Sequence, residues 1–155
     1  MGFFCKRKMD TRHIKEILTE DIKSLGCDIW GIEFFGKYKN QTLRIYIDNK
    51  EGISVEDCEK VSKHVIKLLD VESDFSNKYF LEVSSPGLER KFFSKDQYQS
   101  YIDSFIKVRY INNLNKKISI KGMLSGVTTE GLIIESTDKD HKVPFSSIIQ
   151  ANLIM

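Results

Sequence analysis

The sequence has few cysteines, and their spacing provides no motif for a disulfide or a metal ion. The three cysteines, Cys5, Cys27 and Cys58, lie far apart without a Cys-x-x-Cys pair, and an odd number cannot pair completely. The three histidines add no zinc-ligand pairing. We therefore expect no metal and no cofactor, and a reducing cytoplasmic location is the simplest expectation.

Long apolar segments and a strong excess of one charge are also missing. No stretch approaches the roughly 20 apolar residues that span a bilayer, so no membrane partner is expected. The chain has 155 residues, with 24 Lys and Arg against 22 Asp and Glu, a net charge of +2. This balance requires neither wholesale polyanion binding nor a self-repelling disordered chain, so charge alone says little about function. Residues 91–155 carry 9 basic and 6 acidic side chains, a net charge of +3. This excess is compatible with a surface that meets nucleic acid, and it can equally arise by chance.

Hydrophobic spacing in the first part of the chain predicts a two-layer α/β domain over residues 1–90. A helix is expected from Thr11 to Leu25 before Gly26, and a second helix should begin after the N-cap Ser54, with Asp57 three residues on. Strands are predicted at "DIWGIEFF", "TLRIYID" and "KYFLEVSS". The order αββαβ predicts a three-stranded sheet whose two helices cover one face.

The same spacing predicts which side chains form the core of this domain. One face of the first strand should bury Trp30, Ile32 and Phe34. The inner stripe of the second helix is predicted to contain Val55, Cys58, Val61, Val65, Leu68 and Leu69.

After residue 90 the pattern changes to short strands with polar or glycine-containing turns. A brief helix at "KDQYQSYI" precedes five predicted strands, the last after a turn at "PFSS". This pattern favours a small closed SH3-like or Sm-like β-barrel over residues 91–155, because closure removes exposed sheet edges. The fold class is therefore α+β, with an α/β domain followed by an all-β barrel.

The stretch "YFLEVSSPGLERKFF" is open to three interpretations. A serine nucleophile at Ser84 or Ser85 lacks the flanking glycines of an elbow and an identified histidine base, and a phosphate-binding loop needs more than one glycine. The favoured interpretation is a structural turn, because Pro86 and Gly87 suit the two central positions of a type II turn. Leu88, Phe92 and Phe93 would be apolar contacts of an interdomain linker. The predicted turn and linker residues are Ser84, Ser85, Pro86, Gly87, Arg90 and Lys91.

These residues resemble the RimP family of ribosome maturation factors. The family carries an L-E-V-S-S-P-G-L-[DE]-R run, matched here by "LEVSSPGLER", and a D-C-x-x-V-S stretch, matched by "DCEKVS". The resemblance extends from the first helix to the last strand. One difference is Lys91, where the family usually has proline, so we expect a less rigid linker.

The resemblance implies a cytoplasmic bacterial assembly factor without known catalytic activity. Such a factor binds the free small (30S) ribosomal subunit and helps it mature near the central pseudoknot of its rRNA. The implied partners are rRNA and a small-subunit ribosomal protein, with no small-molecule substrate and a monomeric state.

Strand alternation gives the candidate contact residues. Lys107 and Arg109 should share the outward face of one barrel strand, and Lys117 and Lys121 that of the next, whereas Arg44 and Tyr46 should share the polar side of the first hairpin. These six residues are candidates for rRNA or ribosomal-protein contacts, and a merely solvated sheet surface remains the alternative. Two other functions stay open: a small hydrolase using Ser84 or Ser85, and an Sm-like RNA-binding protein that oligomerises through barrel edges.

Overall fold

The structure, a computed structural model, describes residues 10–37 and 40–155. The chain divides into two compact units, and the division falls between Pro86 and Gly87.

The first unit has the predicted order of elements. The elements are α1 (Thr11–Ser24), β1 (Asp28–Phe35), β2 (Gln41–Asp48), α2 (Val55–Ser73), a 3-10 helix (Phe75–Asn77) and β3 (Tyr79–Ser84). The sequence prediction of two helices and three strands is confirmed for this unit. Strand β1 is antiparallel to β2, and β2 is parallel to β3, so β2 is the central strand.

Both helices pack their apolar sides against the same face of this sheet. Helix α2 begins with the predicted cap: Ser54 Oγ accepts a hydrogen bond from the Asp57 N–H at 3.1 Å, and the Asp57 carboxylate accepts one from the Ser54 N–H at 2.9 Å. Alternation on β2 buries every second side chain, which leaves the intervening side chains on the opposite face. The buried core comprises Ile14, Leu18, Ile22, Cys27, Leu43, Ile45, Ile47, Val61, Val65, Leu69 and Phe75.

Two predicted core residues lie elsewhere. Val55 is 84% exposed, because about 100° of helical rotation per residue places it roughly 80° from the centre of the buried stripe at Val65. In β1 the register shifts between Ile29 and Gly31. This bulge interrupts the alternation, so Ile29 packs against the core and Trp30 is not among the core-packed side chains.

The second unit contains the five predicted short strands. The elements are a 3-10 helix (Lys95–Tyr101), β4 (Phe105–Ile111), β5 (Lys117–Val127), β6 (Gly131–Glu135), β7 (Asp140–Pro144), a 3-10 helix (Phe145–Ser147) and β8 (Ile148–Leu153). All five strands pair antiparallel in the order β7-β6-β5-β4-β8, as expected for the all-β part of an α+β chain. In the described residues the ladder does not continue between β7 and β8, which the second 3-10 helix joins.

The second unit has its own core, which fixes the direction of the outward side chains on β4. Ile106 and Val108 are completely buried. Lys107 and Arg109 alternate with them along β4 and therefore point to the other side of the sheet. Phe92 and Tyr98 stack at a centroid distance of 4.3 Å at one end of this core. The buried residues are Phe92, Tyr98, Ile106, Val108, Leu124, Leu132, Ile134, Val143 and Ala151.

Candidate interaction surfaces

Arg44 is the centre of a polar cluster on the sheet face of the first unit that the helices do not cover. Its Nε and Nη2 atoms lie 2.8 and 2.7 Å from Oε2 of Glu82, and its Nη1 donates to the Tyr46 hydroxyl at 3.3 Å. The Tyr46 hydroxyl in turn donates to Oε1 of Glu33 at 2.7 Å. The guanidinium also lies 4.3 Å from the centre of the Phe35 ring. The structure thus brings the predicted pair Arg44 and Tyr46 together.

The surroundings of Arg44 and Tyr46 in this cluster favour the protonated form of each side chain. The hydrogen bonds with Tyr46 and then with Glu82 raise the pKa of Arg44. Burial raises the pKa of Tyr46, to which its hydrogen bond with Glu33 adds. Arg44 is therefore a permanent cation whose charge is already balanced by carboxylates within the sheet.

Counted over its strand positions, this sheet face is acidic. The register places Glu33, Arg44 and Glu82 in one row across the three strands, and it pairs Asp28 with Asp48. One cation therefore faces four carboxylates, a net charge of −3. We call this surface, the outward side of β1, β2 and β3, the acidic face.

Two exposed aromatic rings belong to the acidic face. Phe35 and Phe80 both lie opposite Thr42, one on each neighbouring strand, and are 38% and 64% exposed. Because adjacent strands are about 4.8 Å apart, the two rings flank the small Thr42 side chain at roughly twice that spacing. Two exposed rings thus lie next to the row formed by Glu33, Arg44 and Glu82.

The predicted cations of the second unit share one surface. Lys107 lies directly opposite Lys121, and Arg109 lies opposite Ser119. Lys117 lies opposite Ile111, at the end of the same strand pair. In the described part of the chain none of these four cations forms an ion pair with a carboxylate. We call this surface, the outward side of β4, β5 and β8, the basic face.

A fifth cation extends the basic face beyond what strand alternation predicts. Lys91 pairs with Asn152 of β8, and Asn152 pairs with Lys107. Direct cross-strand partners share a sheet face, so Lys91 extends the row that crosses β8, β4 and β5 through Asn152, Lys107 and Lys121. Like charges directly opposite each other destabilise a sheet, and folding therefore gives no reason for the Lys107 and Lys121 pair.

An exposed aromatic residue accompanies these cations. Phe105 is 56% exposed and lies one outward position before Lys107 on β4. With Lys121, Met123 and Glu135 it lines an open depression of about 400 Å³. The two-residue spacing that puts Phe105 and Lys107 on the same strand face is visible in the sequence. The position of Lys91 is not, because it depends on an isolated bridge to β8 that no local pattern shows.

The predicted turn and linker residues divide between the end of β3 and a segment that pairs with β8. Ser84 ends β3, and Gly87 has the positive φ, 78°, that its predicted position requires. The turn itself, however, lies at Leu88 and Glu89, after rather than across Pro86 and Gly87.

Residues 90–92 pair with β8. The Leu153 N–H donates to the Arg90 carbonyl and the Phe92 N–H to the Ala151 carbonyl, each at 2.9 Å. These bonds flank Lys91 and hold it within the second unit. Phe92 is buried as expected, but Leu88 is 74% exposed.

Two of the histidines have side-chain contacts within their own units. His64 Nε2 lies 3.5 Å from the Asp21 carboxylate, and His141 Nε2 lies 3.2 Å from Ser136 Oγ. Among residues 10–37 and 40–155 no group of three or more His, Cys, Asp or Glu side chains is placed to hold a metal ion. None of the helices in those ranges is long and apolar enough to cross a bilayer.

Comparison with known protein families identifies the first unit. Residues 17–89 match the family model described as the RimP N-terminal domain. The matched range covers α1 from Ile17, α2, all three strands of the first sheet, and the "LEVSSPGLE" run, which begins within β3. This match, over somewhat less than half of the chain, supports assignment to the RimP family of ribosome maturation factors.

Proposed function

We propose that this member of the RimP family binds the free small ribosomal subunit and promotes its maturation without catalysing a reaction. The basic face is the observation that carries this proposal. Lys107, Arg109, Lys117 and Lys121 present cations that no carboxylate of the described chain balances. Such cations bind phosphates and release counterions, and this release drives most sequence-independent RNA binding.

Phe105 adds a second feature that suits RNA. Bases of single-stranded loops stack on exposed aromatic rings, and a ring beside cations can hold a base while the cations hold the backbone. The depression next to Phe105 and Lys121 offers space for a base displaced from its helix. Sequence-specific pairing is not required of such a surface.

An assembly factor with these properties acts by differential binding. It stabilises the rRNA conformation that it binds best, so that this conformation becomes more populated, and it leaves when the mature surface no longer fits. A net charge of only +2 on the whole chain keeps nonspecific affinity for RNA low. A reversible cytoplasmic factor that acts as a monomer fits these requirements.

Cosedimentation with ribosomal fractions tests the proposal. Tagged protein in a cell lysate should migrate on a sucrose gradient with free small subunits and not with complete ribosomes. Absence from the ribosomal fractions at both low and moderate salt would contradict it. A protein mass that rises with concentration would instead favour an Sm-like oligomer.

A double charge reversal tests the basic face separately. Lys107→Glu with Arg109→Glu should weaken binding to small subunits at least about tenfold and lower the salt slope by about two phosphates. Lys139→Glu with Lys142→Glu makes the same charge change on exposed positions at and before β7 and should alter binding much less. Equal losses in both variants would mean that only net charge matters.

A further inference from the structure

We propose that the acidic face docks a cationic, extended polypeptide segment that inserts an apolar side chain between Phe35 and Phe80. This inference refines the proposed function and rests on it, since it takes the first unit as the protein-binding part of a small-subunit factor. The acidic face carries a net charge of −3 over its strand positions. That sign disfavours RNA phosphates and favours a lysine- or arginine-rich protein.

The arrangement of Arg44 gives the first argument for a protein partner. Arg44 is the only cation at the outward strand positions of the described sheet, and its guanidinium is held by Glu82, Tyr46 and Phe35. A phosphate would have to displace Glu82, whose carboxylate is 2.7 Å away. Arg44 therefore orients the acidic side chains rather than offering a cation to RNA.

Glu82 gives the second argument, because part of its carboxylate remains accessible. The hydrogen bond from Arg44 Nε and the ion-pair contact of Arg44 Nη2 both reach Oε2, and the Glu82 side chain is 50% exposed. Within the described residues, Oε1 accepts no side-chain hydrogen bond. An incoming arginine or lysine can therefore bind Oε1 without breaking the existing pair, and it gains from a carboxylate that is already oriented.

The exposed rings give the third argument. Phe80 is 64% exposed and Phe35 38% exposed, on either side of Thr42. An aliphatic side chain lying over Thr42 would contact both rings and remove apolar surface from water. In an extended segment alternate side chains point the same way, so one apolar residue above Thr42 places cations near the Glu33 and Glu82 row.

Peptide binding to the purified full-length chain tests the proposal without ribosomes. The probe is a labelled peptide rich in arginine and lysine with spaced leucines, compared with the same peptide carrying glutamate at each cationic position and with labelled polyuridylate. In fluorescence anisotropy the cationic peptide should bind and the glutamate peptide should not. If the cationic peptide binds at the acidic face, Phe80→Ser should weaken its affinity about tenfold and leave the affinity for polyuridylate unchanged. Glu82→Gln should weaken the affinity for the cationic peptide about threefold.

Helix α2 supplies matched controls. Val71→Ser removes another exposed apolar side chain, 87% exposed, and Glu72→Gln removes another exposed carboxylate of the same unit. Neither should change the affinity for the peptide. Equal losses in these variants, or none in Phe80→Ser and Glu82→Gln, would overturn the proposal.

Amide NMR shifts of the unmodified chain provide a readout that does not depend on the variants folding. The cationic peptide should shift the amides of Phe35, Arg44 and Phe80 and leave those of α2 in place. If polyuridylate shifts the same amides and competes with the peptide, the acidic face binds RNA and the proposal is wrong. A chain that binds peptide at this face but never accompanies small subunits would refute the proposed function and leave the surface assignment standing.

Discussion

The acidic face and the basic face are built by the same strand alternation but treat charge in opposite ways. On the acidic face Arg44 is enclosed by Glu82, Tyr46 and Phe35. On the basic face Lys107 lies opposite another lysine. Oppositely charged partners hold one another's side chains in fixed orientations. Like charges placed together destabilise the folded sheet, and binding of an external anion relieves their repulsion. Our two proposals follow this difference: the first sheet would recognise shape and cationic groups, and the second would recognise phosphate.

The largest effect should come from removing the basic face by unfolding the unit that carries it. In Gly131→Ala the new Cβ would overlap the Val143 carbonyl oxygen and lie 2.7 Å from Pro144 Cα, so the β6 and β7 pair cannot close. We expect a loss of about 3 kcal/mol in the stability of the second unit. Polyuridylate binding should fail while the cationic peptide still binds.

Chemical unfolding followed by two probes checks this prediction. The single tryptophan, Trp30, reports on the first unit, and amide NMR signals of β4–β8 report on the second. The control is Gly126→Ala, whose Cβ would meet Ile133 Cδ1 at 3.4 Å, an ordinary contact. A Trp30 transition that moves as far as the second-unit signals would show that the two units do not unfold separately.

Alkaline pH should weaken the second unit through Tyr98. Burial raises the pKa of Tyr98 to about 12, above the value near 10 of an unfolded tyrosine. Because the neutral form is favoured in the folded state, this contribution is complete below pH 10 and is lost as the pH rises toward 12. We expect the loss to approach about 2 kcal/mol.

Tyr98→Phe provides the comparison, since it keeps a ring to stack on Phe92 but removes the ionisable hydroxyl. Unfolding measured between pH 9 and 11 by the NMR signals of β4–β8 should be less pH-dependent in this variant. Parallel pH dependence in both proteins would assign the alkaline loss to other groups.

How far these two surfaces were predictable differs from residue to residue. A backbone period of two places Lys107 with Arg109 and Arg44 with Tyr46 whatever the fold, so these groupings were predicted correctly. The pairing of Arg44 with Glu82 was not predicted, because Glu82 is 38 residues away and the contact depends on the parallel pairing of β2 with β3.

The errors also have local causes. The bulge at Ile29 and Gly31 moved Trp30 from its predicted place, and a bulge leaves no reliable mark in a single sequence. Val55 was assigned to the buried stripe by spacing alone, although its angle lies at the edge of that stripe. The place of Lys91 in the basic row required a strand pairing outside the regular ladder.

A smaller effect is expected from removing the cation at the centre of the acidic face. Arg44→Gln leaves Glu33 and Glu82 without their shared partner and should destabilise the first unit by about 1 kcal/mol, a modest value because the Arg44 side chain is 31% exposed. Urea unfolding followed by Trp30 fluorescence measures it. Binding of polyuridylate should not change.

Lys63→Gln is the matched control for Arg44→Gln. It breaks an ion pair with Glu59 at 3.3 Å, but the two side chains are 74% and 64% exposed, so little change in stability is expected. If Arg44→Gln weakens polyuridylate binding as much as Lys107→Gln does, Arg44 is an RNA contact and the contrast between the faces is wrong.

The smallest effect should come from Lys91, at the end of the lysine row. Lys91→Gln keeps a long polar side chain and removes one charge opposite Asn152. If the row follows one RNA backbone, the slope of log affinity against log salt should fall by about one phosphate, with about a threefold loss of polyuridylate affinity at moderate salt. Lys139→Gln removes an exposed charge outside the row and should leave the slope nearly unchanged. A Lys91→Gln slope equal to that of the unmodified chain would confine the phosphate contacts to β4 and β5, and it would mean that Lys91 adds nothing to RNA binding.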